Sequence, residues 1–279
     1  SSTDAWLVAM AQKLVRWTGT VVRTRHVSTP VSRNLTTQWL YKRATAHVVT
    51  TGEALRQTLH RENGLALAHM TSVPTGVDLD RFLRGDPAQA RAELSLAHDR
   101  RFLGIVATLR NWKGHAYLLD SFRQLADAWK DWDLLIIGDG PQRQNLSRRI
   151  RELGLDARVL MVGNQDNVPR WLQALDLFVL PSYGCEGVPQ SIVQAMACGL
   201  AVVSTTVGAI DEAVVHEQTG LLVPPRATND LTAALTRLMN DPELRARYGE
   251  AGARRARERF GIDAMLVAME QVYAHVVHQ

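Results

Sequence analysis

Glu186-Gly187-Val188-Pro189 stands between an apolar run and a helical pattern, and its residue types fit a socket for an anion. Leu177-Phe178-Val179-Leu180 reads as a buried parallel strand, residues 181–185 as the turn at its carboxyl end, and residues 189–198 as the next helix. Pro189 suits the first helical position, where a missing N–H costs nothing. The amides around Gly187, Val188, Gln190 and Ser191 then point out of the helix N-terminus, where the helix dipole also favours negative charge. A ligand phosphate fits such a place. The plainer alternative is a strand-to-helix turn punctuated by Gly187 and Pro189.

The elements that must hold this turn follow a repeating order. Runs at Phe102–Leu109, Leu134–Ile137, Val159–Val162, Leu177–Leu180 and Ala201–Ser204 read as strands, with helices beginning near Gly114, Gln142, Val168 and Pro189. This alternation predicts an α/β fold with a doubly wound parallel sheet and ligands at the carboxyl ends of the strands. From Thr228 onward the pattern is helical, ending in an amphipathic helix over Met265–Val276. Residues 1–74 read as a smaller piece with helices over 4–17, 32–44 and from Glu53, and only two strands, Val21–Arg25 and His47–Thr50. Two strands are too few for an independent open sheet. Together with a start at Ser1, this leads to the expectation that a substantial amino-terminal segment precedes the numbering, and that this chain alone transfers its substrate poorly.

At 279 residues and 46% hydrophobic content the chain can bury one large core or two modest ones. No apolar run is long enough to span a membrane, and the expected location is cytoplasmic. Cys185 and Cys198 lack CxxC spacing or a nearby histidine cluster, which argues against a disulfide framework or zinc site. Cys198 reads as core and Cys185 as a loop thiol. The net charge of +4 is mild, and arginines such as Arg148, Arg151, Arg245 and Arg255 read as solvated helix faces. No nucleic-acid partner is expected. Near the start, Trp6, Leu7, Met10, Leu14 and Trp17 alternate with Lys13, Arg16, Arg23 and Arg25. A core-facing helix is the preferred reading, and peripheral contact with anionic lipid at the inner face of the membrane is the alternative.

Val73-Pro74-Thr75-Gly76-Val77-Asp78-Leu79-Asp80-Arg81-Phe82 resembles the interdomain segment of retaining GT-B glycosyltransferases, in particular family 4. Further matches follow in that family's order: Lys113-Gly114-His115, Gly138-Asp139-Gly140-Pro141, Asp176 with Pro181-Ser182, Glu186-Gly187-Val188-Pro189, Gln194 through Gly199, and Thr219 through Pro224. Any one match is weak, but their ordered succession is strong. The resemblance implies two Rossmann-like domains, a partial acceptor-side domain over 1–74 and a nucleotide-sugar-binding domain over 75–260. Residues 261–279 would form a helix crossing back to the first. The implied partners are a nucleotide-sugar donor and a glycan or lipid-linked acceptor, in cell-envelope glycan, lipopolysaccharide or capsule synthesis. An inactive nucleotide-sugar-binding fragment and a GT-B epimerase are the alternatives.

The resemblance also assigns roles. Arg110 and Lys113 would supply fixed positive charge to a leaving nucleoside diphosphate. The family usually has Arg or Lys two residues before Arg110, where this chain has Thr108. Glu186 would contact the donor sugar as the first acid of an E-x7-E pattern, whereas the second acid, which grips the ribose, is Gln194 here. That change keeps an acceptor but loses the strength of a charged one. His26, in Arg23-Thr24-Arg25-His26-Val27-Ser28, would face the donor sugar. Gly138 and Gly140, with Gly163 and Asn164, would line the nucleobase pocket. Asp78-Leu79-Asp80 and Asp131-Trp132-Asp133 imitate a D-x-D metal motif but read as capping and turn residues. Neither an essential metal nor a cofactor is expected.

Overall fold

The computed structural model describes all residues except 1, 16, 18, 27–30, 185 and 278–279. The expected loop thiol Cys185 and the Val27-Ser28 flank of the histidine motif lie outside the described residues. The chain forms two compact units, Ser1–Gly76 with Ile262–Gln279, and Val77–Gly261.

The first unit contains α1 (Ser2–Leu14), β1 (Val22–Arg25), α2 (Leu35–Lys42), β2 (His47–Thr50), α3 (Glu53–Asn63) and β3 (Met70–Ser72). Its strands are parallel and lie in the order β1-β2-β3. β3 corrects the expectation of two strands. Its three residues show no alternation; instead Arg56 of α3 fixes them, donating to the carbonyls of Met70 at 2.8 Å and Leu67 at 2.9 Å. Asn34 caps α2 by accepting from the Thr37 amide at 2.8 Å. Neighbouring strand residues point to opposite faces. Accordingly Val48 packs with Tyr41, Leu55, Leu59, Leu65 and Met70, while Val49 packs with Val73 and with Val272 and Val276 of the terminal helix.

The core-facing reading of α1 fails for most of its apolar residues. Ala9 is buried, and Trp6 stacks on Trp39 at 6.0 Å. Leu7, Met10, Leu14 and Trp17 remain exposed.

The second unit runs α4 (Pro87–Glu93), β4 (Arg101–Val106), α5 (His115–Ala126), β5 (Trp132–Ile137), α6 (Arg143–Glu152), β6 (Val159–Gly163), α7 (Val168–Gln173), β7 (Leu177–Leu180), α8 (Gln190–Ala197), β8 (Val202–Thr205), α9 (Ile210–Ala213), β9 (Gly220–Val223), α10 (Thr228–Asn240) and α11 (Pro242–Arg259). The terminal helix α12 (Ile262–Val277) then returns to the first unit. Among the described residues the sheet has the order β6-β5-β4-β7-β8-β9, all parallel. The apolar runs of β5, β7 and β8 are buried along their whole length, as strands covered by helices on both faces must be.

Four expectations need correction. β9 is an additional strand, held so closely to β8 that a Cβ on Gly220 would lie 2.2 Å from the Val202 carbonyl oxygen. β4 ends at Val106 rather than Leu109. Asp133 is no turn residue: it lies inside β5, nearly buried, and pairs with Arg100 and with Arg158, the latter at 2.7 Å. Asp78 does serve a turn, accepting from the amides of Asp80 and Arg81 at 3.1 Å each. Nor is Arg245 merely solvated, since its guanidinium lies 5.3 Å from the Trp132 ring centre and donates to the Leu238 carbonyl.

The chain builds outward from β4 through β5 to β6, then returns to β4's other side and builds outward again through β7, β8 and β9. Connections therefore leave β4 and β7 in opposite directions, opening a crevice at their carboxyl ends.

Candidate functional site

Two loops frame that crevice. After β4 the chain passes Arg110 and a short 3₁₀ turn, Asn111–Lys113, to Gly114 at φ 80°. A Cβ on Gly114 would lie 1.9 Å from the Pro181 carbonyl oxygen, and the Tyr183 amide donates to the Trp112 carbonyl at 2.8 Å. The loops after β4 and β7 are thus joined backbone to backbone. Between the two loops, Lys113 Nζ of the first and Ser182 Oγ of the second each donate to Glu186 Oε1 at 2.7 Å. Ser182 is fully buried, and its own carbonyl accepts from Thr205 Oγ1 at 2.5 Å. The Ala209 amide donates to the Glu186 carbonyl at 3.0 Å. With only 10% of its side chain exposed, Glu186 is oriented by charge and by neutral donors together.

The turn leads into α8 with one change from expectation. Pro189 is the cap, with φ −70° and ψ 121°, and not the first helical residue. Its extended ψ leaves the amides of Gln190 and Ser191 in the first turn, where no helical carbonyl lies four residues earlier. Val188 and Pro189 are buried, Gly187 half-buried. Gln194 lies one turn further along, half-buried, below the exposed Gln190.

Lys113 and Arg110 diverge. Lys113 meets Glu186, whereas exposed Arg110 holds its guanidinium 5.3 Å from the Trp112 ring centre. Gly138 donates its amide to the Gly163 carbonyl at 2.8 Å, and a Cβ there would lie 2.2 Å from the Ala107 carbonyl oxygen. A Cβ on Gly140, at φ 158°, would lie 2.8 Å from the Leu109 backbone. These glycines fasten the loops after β5 and β6 to the loop after β4, with Asn164 exposed just beyond. His26 is exposed directly after β1 and belongs to the first unit. Among the described residues no group of three or more His, Cys, Asp or Glu could hold a metal ion.

Sequence reasoning missed three supports of Glu186: Ser182, Thr205 behind it, and Gly208, where a Cβ would lie 2.0 Å from the Glu186 carbonyl oxygen. Only the Pro181-Ser182 match could have pointed to the first. It also missed the state of His115, which is 2% exposed and faces the Arg110 backbone as its nearest polar partner. Burial, and secondarily the Lys113 charge, pushes its imidazole from 6.5 down to about 4. The unfolded chain therefore binds the proton more readily, and stability present above about pH 6.5 is lost as pH falls through 4. Between pH 7 and 4 the native chain should lose roughly 2–4 kcal/mol more than a His115→Leu variant. Urea titrations at both pH values check this; parallel losses would refute it. The Cys198 thiol, buried in α8's C-cap, is pushed up to about 12 and is inert.

Residues 87–255 match the sequence profile of the family described as glycosyl transferases group 1. The chain is 31% identical over 263 residues to the lipopolysaccharide core biosynthesis mannosyltransferase LpsB of Rhizobium meliloti, covering 90% of this chain and 72% of that protein. It is 31% identical over 225 residues to a 2-deoxystreptamine glucosyltransferase of Streptomyces kanamyceticus, covering 75% of this chain but only 56% of the relative. Among solved structures, HepE of Anabaena with UDP and glucose superposes with a TM-score of 0.88 at 22% identity, over 98% of this chain and 76% of that one. Sucrose-phosphate synthase of Thermosynechococcus elongatus superposes with a TM-score of 0.85 at 25% identity, over 98% and 71% of the two chains. The fold is that of the GT-B glycosyltransferases, with Rossmann-like parallel sheets. With profile, relatives and fold in agreement, the chain belongs to the group 1 glycosyl transferases.

Proposed function

We propose that this chain transfers a sugar from a nucleoside-diphosphate sugar to an acceptor hydroxyl with retention at the anomeric carbon and without an essential metal. The observation that carries the reading is the Lys113–Glu186 pair at the reversal of strand order, beside the first turn of α8. As the bond from sugar to diphosphate lengthens, negative charge grows on the leaving oxygens. Lys113, Arg110 and the amides between Gly187 and Ser191 offer fixed positive groups for that charge. Glu186, held by Ser182, faces the donor sugar, and His26 contributes positioning and charge stabilisation near the anomeric carbon. The acceptor attacks on the face the diphosphate leaves, and a phosphate oxygen takes its proton. Backbone groups around Gly138, Gly140, Gly163 and Asn164 read the base.

The acceptor in this proposal is a glycan or lipid-linked saccharide of the cell envelope, a reading supported by the LpsB relative. Among the described residues no helix is long and apolar enough to cross a membrane. Exposed Leu7, Met10 and Leu14 beside Lys13 on α1 support peripheral contact with anionic lipid, at the cytoplasmic face.

A panel of nucleotide sugars with NMR of the product anomer tests the reaction. Retained configuration with turnover insensitive to chelator is expected; an inverted product or chelator-sensitive turnover overturns it. Nucleotide binding without turnover would favour the binding-module alternative. Gln194→Glu should tighten nucleoside diphosphate binding by roughly 0.5–1.5 kcal/mol, because a carboxylate accepts more strongly than an amide. The gain should vanish with a ligand lacking the ribose hydroxyls; equal affinities of native and variant for both ligands would remove Gln194 from the ribose site.

A further inference from the structure

A second cleft, of about 390 Å³, opens between α5 and α6; Arg110 is part of its lining, but neither Lys113, Glu186 nor any α8 residue is. Its size falls within the roughly 300–1,000 Å³ of small-ligand sites. One wall is aromatic. Tyr117 and Tyr183 meet edge to face at 5.7 Å and 83°, and the Arg226 guanidinium packs 4.4 Å from the Tyr183 ring centre. The rest of the lining is planar and polar: Asn145 donates to Gln142 at 2.9 Å, and Arg149 holds Asp120 through Nε at 3.1 Å and through Nη2. His115 lines the same cleft.

This combination selects among ligands. A phosphate would face the Asp120 carboxylate, and of the two lining cations Arg149 is already committed to that carboxylate while Arg110 packs against the Trp112 ring. A nucleobase would want parallel plates, but the two tyrosines stand perpendicular. A neutral sugar ring fits both parts of the lining. Its C–H face suits a tyrosine, and its hydroxyls, each donor and acceptor, suit a mixture of amide, carboxylate and guanidinium. A histidine held neutral at pH 7 offers one donor and one acceptor in the same spirit.

We propose that the α5–α6 cleft is a saccharide subsite that holds part of a neutral glycan away from the reacting centre. It rests on the proposed glycosyl transfer only in taking that glycan to be an acceptor or product chain.

The test is calorimetric titration of the full chain with maltotetraose and α-mannotetraose as probes, beside inorganic pyrophosphate as an anionic probe. One of the neutral tetrasaccharides is expected to bind. Tyr117→Ala and Asn145→Ala should each weaken it about tenfold, the scale of one lost contact. Asn145 is exposed, so that variant keeps the fold even if Tyr117→Ala does not. Nucleoside diphosphate affinity should stay unchanged in Asn145→Ala, and tetrasaccharide binding should survive Lys113→Ala. Failure of both tetrasaccharides to bind, binding indifferent to both cleft variants, or displacement of the sugar by pyrophosphate overturns the subsite. Tetrasaccharide binding that follows the cleft variants in a chain without transferase turnover would uphold the subsite and count against the proposed reaction alone.

Discussion

Lys113→Ala lowers nucleoside diphosphate affinity by about 1–3 kcal/mol, the scale of a charged hydrogen bond, while leaving the fold almost as stable as before. The asymmetry follows from the position of the side chain. Lys113 lies on a 3₁₀ turn, and its ammonium pairs with Glu186, which keeps Ser182 as a donor after the lysine is gone. Part of the lysine's charge is spent on Glu186 in the unliganded chain. Glu186→Gln should consequently move nucleotide affinity the other way, upward, because it frees that charge, while transfer itself collapses. Calorimetry with UDP and GDP on both variants measures the pair. Unchanged affinity in Lys113→Ala would return the residue to the role of a solvated basic turn.

Gly208→Ala should cost about 2–5 kcal/mol of stability and disable the site with it. At φ 62° an alanine already pays for left-handed backbone, and its Cβ would lie 2.0 Å from the Glu186 carbonyl oxygen, with further backbone atoms behind. Backbone cannot swing aside as a side chain tip can. Gly154 provides the control, since it has φ 65° but nothing within 4 Å of an added Cβ. Gly154→Ala should lose only the conformational part, about 1 kcal/mol. In urea both should shift the midpoint with little change of slope. Equal losses at the two positions would mean that the contact with Glu186 exerts no constraint.

Much of the second sheet was legible because Leu134–Ile137, Leu177–Leu180 and Ala201–Ser204 are continuous apolar runs, the pattern of strands covered on both faces. β3 and β9 were not, for different reasons. Met70-Thr71-Ser72 is too short to show a period and owes its course to Arg56, a tertiary contact. Gly220-Leu221-Leu222-Val223 opens with a glycine, which weakens the strand pattern unless the closeness of β8 is known. At the site, the sequence placed Lys113 and Glu186 at the ends of two strands. Their meeting depends on β4 and β7 being neighbours, a fact of strand order that local pattern does not encode. Asp133 misled because an acid at a strand start usually caps or turns. Only the folded chain brings Arg100 and Arg158 to it from different segments.

The return of α12 to the first unit imposes an order on synthesis. Val272 and Val276 pack with Val49 and Val73, so part of that unit's core is made about two hundred residues after the strands it covers. The second unit, Val77–Gly261, is continuous and is complete before α12 leaves the ribosome. The valine face of the first sheet must wait, uncovered, while an entire neighbouring unit is translated. For that interval the growing chain bears an apolar surface that a chaperone, or another nascent copy, can reach.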